Sequence, residues 1–441
     1  MAFTLPPKRI ATTVMNSLKG GVVPRDGLEY IAVGRKKEID AILHDVEIIE
    51  DGGAAFRFVV GKYGSGKSFL LQIIRNYVMK RGFVVVDADL SPERRLIGAN
   101  GKGLATYKEL VRNMSTKTRP DGGALSLILE KWISNIQTQL MSTGLYDIGS
   151  AELTRAVTTK IYEVINEIQE MVHGFDFAKV ISLYWEAYRE GNDDKKSKVL
   201  KWFRGEYTTK TEARQEIGIN IIITDEDWYE YIKILASFIA RAGYKGMYIL
   251  VDELVNLYNL PSSVSRQNNY EKMLTMYNDT MQGKAHHIGI IMSSTPQCIE
   301  DMRKGVFSYE ALRSRLETGR FSTETTTDML APILRLQPLS YEEMTVLIEK
   351  LTLIHAGLYN YKSSITTDDL VSFLKVEYSR IGTGTNITPR EIIRDFIEVL
   401  NILVQNPSVT IQSIIGDETF SFAKDETNKE EIDTEFKEFE L

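Results

Sequence analysis

Residues 61–68 read GKYGSGKS, and this octet constrains the chain more than any other stretch. It fits the pattern G-x-x-x-x-G-K-[S/T] at every fixed position, with Gly61, Gly66, Lys67 and Ser68. The glycines let backbone amides turn inward around phosphates. Lys67 offers a compact charge to the β- and γ-phosphates, and Ser68 a hydroxyl to Mg2+. Lys62, Tyr63, Gly64 and Ser65 inside the loop, and Phe69 just after it, complete the expected nucleotide cradle. Such a loop needs a strand before it and a helix after it. AAFRFVVG is short, apolar and rich in Val and Phe, which predicts a buried strand over 56–60. FLLQIIRNYVMKRG predicts a helix ending at Gly82, whose N-terminal partial charge favours the same anion. FVVVDADL (83–90) predicts a second buried strand, so the stretch reads as the strand–helix–strand unit of a parallel sheet.

The bulk numbers narrow what surrounds that unit. The 441 residues suit two or three domains, and 43% hydrophobic residues supply a sizeable core. A net charge of −7 argues against a chain coated with nucleic-acid-binding basic surface. Cys298 is the single cysteine, so an internal disulfide and a cysteine zinc site are excluded, which suits a reducing compartment. The first residues lack the apolar core of a signal peptide, and no run of about 18 apolar residues occurs. The expectation is a cytoplasmic protein with no membrane contact.

Organisation follows from pattern changes. Residues 1–30 are punctuated by Gly and Pro and read as an N-terminal arm. Residues 31–335 read as the nucleotide-binding core, interrupted at about 91–243 by long helical periodicities such as ALSLILEKWISNIQTQLM. That stretch reads as a helical insertion between two core strands; a separate domain fits the same pattern. The core resumes with MYILV before Asp252, then HHIGIIMSSTP (286–296). Residues 336–405 predict a lid of three helices, YEEMTVLIEKLTLIHAGL, DDLVSFLKVEYSRIG and TPREIIRDFIEVLNILVQN. A hairpin is expected past about 406, before an acidic tail running to 441.

Several residues are candidates for chemistry around the loop. Asp252 follows the apolar strand and suits the Mg2+ shell, and Glu253 directly after it suits polarising a water for in-line attack on the γ-phosphate. An acidic strand cap is the plainer reading of the pair. Asp-Glu at this place separates the chain from nucleotide kinases and GTPases and points to a hydrolase. Glycine loop and Asp252 are expected to meet at neighbouring strand ends. Ser293, Ser294 and Thr295 end the next strand, and Ser294 is the choice for a hydroxyl on the attacking water or γ-phosphate; a plain Ser/Thr turn fits too. Arg315, in preference to Arg313, is the candidate arginine finger for a neighbour's γ-phosphate, which implies a homo-oligomer. Arg390 opens a helix capped by Thr388, with Pro389 at its first position, and is the candidate lid contact to the nucleotide. Most helix arginines are simply solvated. Gly34 and Arg35, with Glu38 and Ile39, are the candidate border of an adenine pocket, although many helix starts look like this. Asp87 and Asp89 read as a strand end beside the loop, and His286-His287 lacks partners at metal-ligand spacing.

Taken in order, VGRKKEI, GKYGSGKS, VVVDADLS, ILVDEL, IIMSSTP, LRSRL and TPREIIRDF resemble the AAA+ ATPases, nearest the origin-recognition and helicase-loader branch. The linking segments TEARQEIGI and AGYKGMYILVDE narrow the resemblance to the BREX-type phage-defence ATP-binding proteins, over about residues 30–400. The resemblance implies an α/β fold: a P-loop, AAA+-like parallel sheet with a long helical insertion and a C-terminal helical lid. It implies an ATPase using ATP and Mg2+ in a multi-protein defence system, with a helicase or DNA as eventual target. Lys67, Asp252 and Glu253 carry over by motif, and Arg315 and Arg390 less directly. Replication initiators usually append a winged-helix domain; here only about 35 residues, acidic in character, follow the lid helices, so DNA contact is expected to be indirect. A nucleotide-gated scaffold with little hydrolysis is the alternative.

Overall fold

The computed structural model describes residues 4–317, 328–379 and 388–416. Contacts divide the chain into two compact units, residues 34–338 and residues 1–33 with 339–441. The acidic tail past 416 lies outside the described residues.

The larger unit is built on five parallel strands: β1 (Ala54–Val60), β2 (Val84–Asp89), β3 (Met247–Asp252), β4 (Ile288–Ser294) and β5 (Ile333–Arg335). Their order across the sheet is β2-β3-β4-β1-β5. The central strands are apolar on both sides, as a parallel sheet covered by helices requires. Alternate side chains divide between two cores. Val59, Val85, Leu250 and Ile291 pack against the helices Lys36–Glu50 and Lys67–Lys80. Phe58, Val86, Ile249 and Ile290 face the other way, into a core shared with Trp132, Phe177, Trp202 and Trp228 of the segment between β2 and β3. That segment runs as helices from Lys102–Arg112 to Trp228–Arg241, inside the same compact unit as the sheet.

Two details differ from expectation. β4 stands between β1 and β3, so the glycine loop and Asp252 do not sit on adjacent strands. β5 is an additional strand, only three residues long, too short for a period-two signal.

Arg57 on β1 is charged yet 5% exposed. Both nitrogens of its fork donate to Asp45 of helix Lys36–Glu50 at 2.6 Å, and Nη1 donates to the Ala331 and Met329 carbonyls. The guanidinium thus ties β1 to the helix above it and to the chain entering β5.

In the smaller unit, the helix Lys8–Lys19 replaces the expected arm. Ala11, Val14 and Met15 form its buried stripe, at helical spacing, against the helices Tyr341–Tyr359 and Pro389–Gln405. Thr367–Ser379 is the third helix of the expected set. Capping boxes start two of them, Ser340 with Glu343 and Thr388 with Glu391. In place of the start of a hairpin, Ile411–Ile415 is a short helix, because Thr410 and Ser413 close a further capping box.

Removing one member of a buried ion pair strands the other. Asp45→Ala is expected to lower the unfolding free energy by about 3–5 kcal/mol, measured by urea denaturation; a loss under about 1 kcal/mol would show that Arg57 is held by the carbonyls alone.

Candidate nucleotide site

The glycine loop leaves β1 at Val60 and enters the helix Lys67–Lys80. Gly61 donates its N–H to the Ser294 carbonyl at 3.1 Å, and a side chain at this position would collide with Ser65. Gly64 and Gly66 have φ of 72° and 90°, so the turn uses backbone that other residues rarely adopt. Lys67 folds back over the loop: its Nζ donates to the Gly61 carbonyl at 2.9 Å and the Lys62 carbonyl at 3.0 Å, and lies 5.4 Å from the ring centre of exposed Tyr63. Phe69 is half-buried in the first helical turn.

Arg35 braces this loop from behind. Its buried guanidinium donates to the Ser65 carbonyl at 2.7 Å, the Gln337 carbonyl at 2.9 Å and Glu38 Oε1 at 3.3 Å. Gly34 precedes it in the left-handed region, with φ of 71°. Arg35 therefore positions the loop and the chain leaving β5.

Although β4 separates their strands, the two halves of the predicted site touch. Ser68 Oγ donates to Asp252 Oδ2 at 2.8 Å. The other carboxylate oxygen, Oδ1, accepts from the Ser293 hydroxyl and, at 2.8 Å, from the Glu253 N–H. Strand alternation explains which serine it is. Leu250 and Ile291 face the helix Lys67–Lys80, so Asp252 and Ser293, two residues on, face it too. Ser294 belongs to the opposite face and is buried; its carbonyl, not its hydroxyl, supports the glycine loop. Ser293 is one of the three hydroxyl candidates, among which Ser294 is the sequence choice, and period-two alternation is the signal that separates the two.

Glu253 turns sharply out of β3, with φ of 61° and its side chain exposed. A non-glycine residue held there costs about 1–3 kcal/mol, and such strain concentrates at functional sites.

A third carboxylate adjoins this group. Asp89 pairs with Asp252 in the register of β2 and β3. Its pKa is raised, first by loss of surrounding water and then by Asp252 and Asp87. Asp87 itself is paired with Arg75 of the loop helix at 3.1 Å.

Arg313 and Arg315, in the larger unit, make other contacts. Arg315 is exposed on the helix Glu310–Leu316 and donates to the Ala311 carbonyl at 2.7 Å; Arg313 lies 3.6 Å from Glu310. Arg390 is exposed in the smaller unit, with its stem near Gly21. No cluster of three or more metal-ligating side chains of the His, Cys, Asp or Glu type occurs among the described residues.

The pattern of a known family, described as BREX system ATP-binding protein BrxC/D, matches residues 7–419. The chain belongs to that family. No curated protein matches the chain. The match spans both compact units of this BrxC/D-family protein, so the smaller unit, with its N-terminal helix, is part of the shared architecture. No described helix is long and apolar enough to cross a membrane.

Ionised Asp89 is penalised in the folded state, so stability is lost as pH rises from the unfolded value of 3.8 through the raised folded value. Asp89→Asn is expected to melt at a higher temperature than wild type at pH 7, with the gap closing below about pH 4. An equal or lower melting temperature at pH 7 contradicts a net penalty on ionised Asp89 in the folded state.

Proposed function

We propose that this BrxC/D-family protein is an ATP phosphohydrolase of AAA+ type, acting in a multi-protein anti-phage defence system. The observation that carries the reading is the 2.8 Å hydrogen bond from Ser68 to Asp252, which joins the glycine loop to the acidic strand end across 184 residues of sequence. A strand order in which β4 separates the two supports it, because the hydroxyl at the end of β4 then reaches the same carboxylate.

Each residue has a task in this reading. The loop from Gly61 to Gly66 wraps the phosphates with backbone N–H groups, helped by the N-terminal charge of the helix Lys67–Lys80. Lys67, which now occupies the loop's own carbonyls, transfers its ammonium to the β- and γ-phosphates. A hydroxyl and a carboxylate side by side are the hard oxygen donors that suit Mg2+, so Ser68 and Asp252 would hold it. Bound there, Mg2+ supplies positive charge for the phosphate oxygens. Glu253 polarises a water and takes its proton as the water oxygen attacks the γ-phosphorus; the bond from that phosphorus to the bridging oxygen breaks, and ADP leaves. Ser293 holds Asp252 in place, and Arg35 holds the loop. Arg315 and Arg390 are the candidates for charge supplied from a neighbouring copy and from the lid.

The work driven by hydrolysis is remodelling or loading of a partner such as a DNA-processing helicase, with any DNA contact indirect. One observation favours the alternative, a nucleotide-gated scaffold. Leu145 and Ile148, at the turn between the helices Leu125–Ser142 and Ala151–Gln169, are 77% and 88% exposed, as a surface that waits for a protein would be.

Steady-state turnover decides between them. Glu253→Gln is expected to bind ATP like wild type while hydrolysing it at least about 100-fold more slowly. Wild-type turnover in the variant removes Glu253 from the mechanism. A wild-type protein that binds ATP yet never turns it over favours the scaffold.

A further inference from the structure

A second feature lies away from the glycine loop, among the helices between β2 and β3. It is a cavity of about 570 Å3, within the size range of small-ligand sites. None of residues 61–68, nor Asp252 or Glu253, lines it.

Its wall combines two characters. Val111 and Leu125 are buried apolar residues, and Leu200 extends the same side. Opposite charges are unequal: Arg94, Lys108, Arg112 and Arg204 face only Glu109 and Glu206. In a chain of net charge −7, a cavity with two positive charges in excess is a local inversion. The pairing shows where the excess sits. Arg204 is forked onto Glu206 at 2.8 and 2.9 Å. Glu109 is shared, 3.5 Å from Arg112 and 3.9 Å from Arg94. Lys108 is half-buried, and its side chain has no hydrogen bond or ion pair among the described residues. An ammonium on the cavity wall with no carboxylate beside it can meet the charge of an anion directly.

The same wall is bonded to the strand end beside Asp252. Arg94 Nε donates to the Asp89 carbonyl at 2.9 Å, and Asn113, just past the helix Lys102–Arg112, donates to the Asp87 carbonyl at 2.9 Å. Asp89 is the register partner of Asp252.

We propose that this cavity is a second binding site, for a free organic phosphate of nucleotide size, whose occupancy is felt at the end of β2. Its apolar side takes the body of the ligand, and Lys108, with Arg94 and Arg112 around Glu109, takes the phosphate. An effect of this ligand on ATP turnover rests on the function proposed above; its binding does not.

The test uses the full chain with Lys67→Ala, which weakens the glycine loop's hold on phosphates, titrated with a fluorescent ADP. A saturable site should remain in that protein. Adding Lys108→Glu should weaken it at least about tenfold at an unchanged melting temperature, with Lys108→Gln as the milder variant if the first fails to fold. Unlabelled ADP should displace the probe, and a short single-stranded DNA should not. Loss of all binding on Lys67→Ala alone, residual binding indifferent to both Lys108 variants, or displacement by the DNA strand at lower concentration than by ADP overturns the assignment. Such a failure leaves the Glu253→Gln result untouched, so the two readings fail separately.

Discussion

Asp252 receives three donors from three parts of the chain: the Ser68 hydroxyl, the Ser293 hydroxyl and the N–H of Glu253. A carboxylate at a strand end can collect these because each donor arrives on the same face of the sheet. Ser68 comes from the helix that covers that face, Ser293 from the adjoining strand, and the Glu253 amide from the turn that leaves β3. Each hydrogen bond to a charged group is worth about 1.5–3 kcal/mol, enough to hold one rotamer of Asp252 and to set Glu253 in its left-handed turn. Neither β1 nor β3 could arrange this alone, since β4 lies between them.

The surrounding structure explains why this group can be rigid. Arg35 ties the glycine loop to the chain after β5 through the Ser65 and Gln337 carbonyls. Arg57 ties β1 to the helix beside it. On the other flank, Arg75 of the loop helix reaches Asp87, the Ser115 hydroxyl and the Pro120 carbonyl, which joins the loop helix to β2 and to the segment that follows it. Buried arginines thus bridge the nucleotide loop to both edges of the sheet. Their planar forks meet several carbonyls at fixed angles, which a flexible lysine does less well.

Much of this was legible in the residues. The glycine octet, the apolar strands and the acidic pair after MYILV carry strong local signals, because loop conformation and two-sided burial restrict composition directly. The resemblance to the defence-system family, drawn from the linking segments, agrees with the match over residues 7–419. What was not legible depends on pairing across distance. β5 is three residues long and exists because β1 offers it an edge. The helix Lys8–Lys19 carries a clear stripe at Ala11, Val14 and Met15, obscured by the Gly and Pro around it, and its burial needs helices more than 300 residues away in sequence. Ser293 rather than Ser294 as the partner of Asp252 follows from strand parity, which the cluster of hydroxyls hid. Arg35 is the instructive case: a residue marked at the border of a pocket is found holding the loop's backbone.

The central claim is that Ser68 and Asp252 act as one unit in ATP hydrolysis. A double-mutant cycle on turnover tests it most directly, with Ser68→Ala, Asp252→Asn and both together. If the unit is real, each single change lowers turnover by at least about 100-fold and the double change lowers it little further, since either one already breaks the pair. Losses that multiply in the double variant, or single variants that keep wild-type turnover, would contradict it.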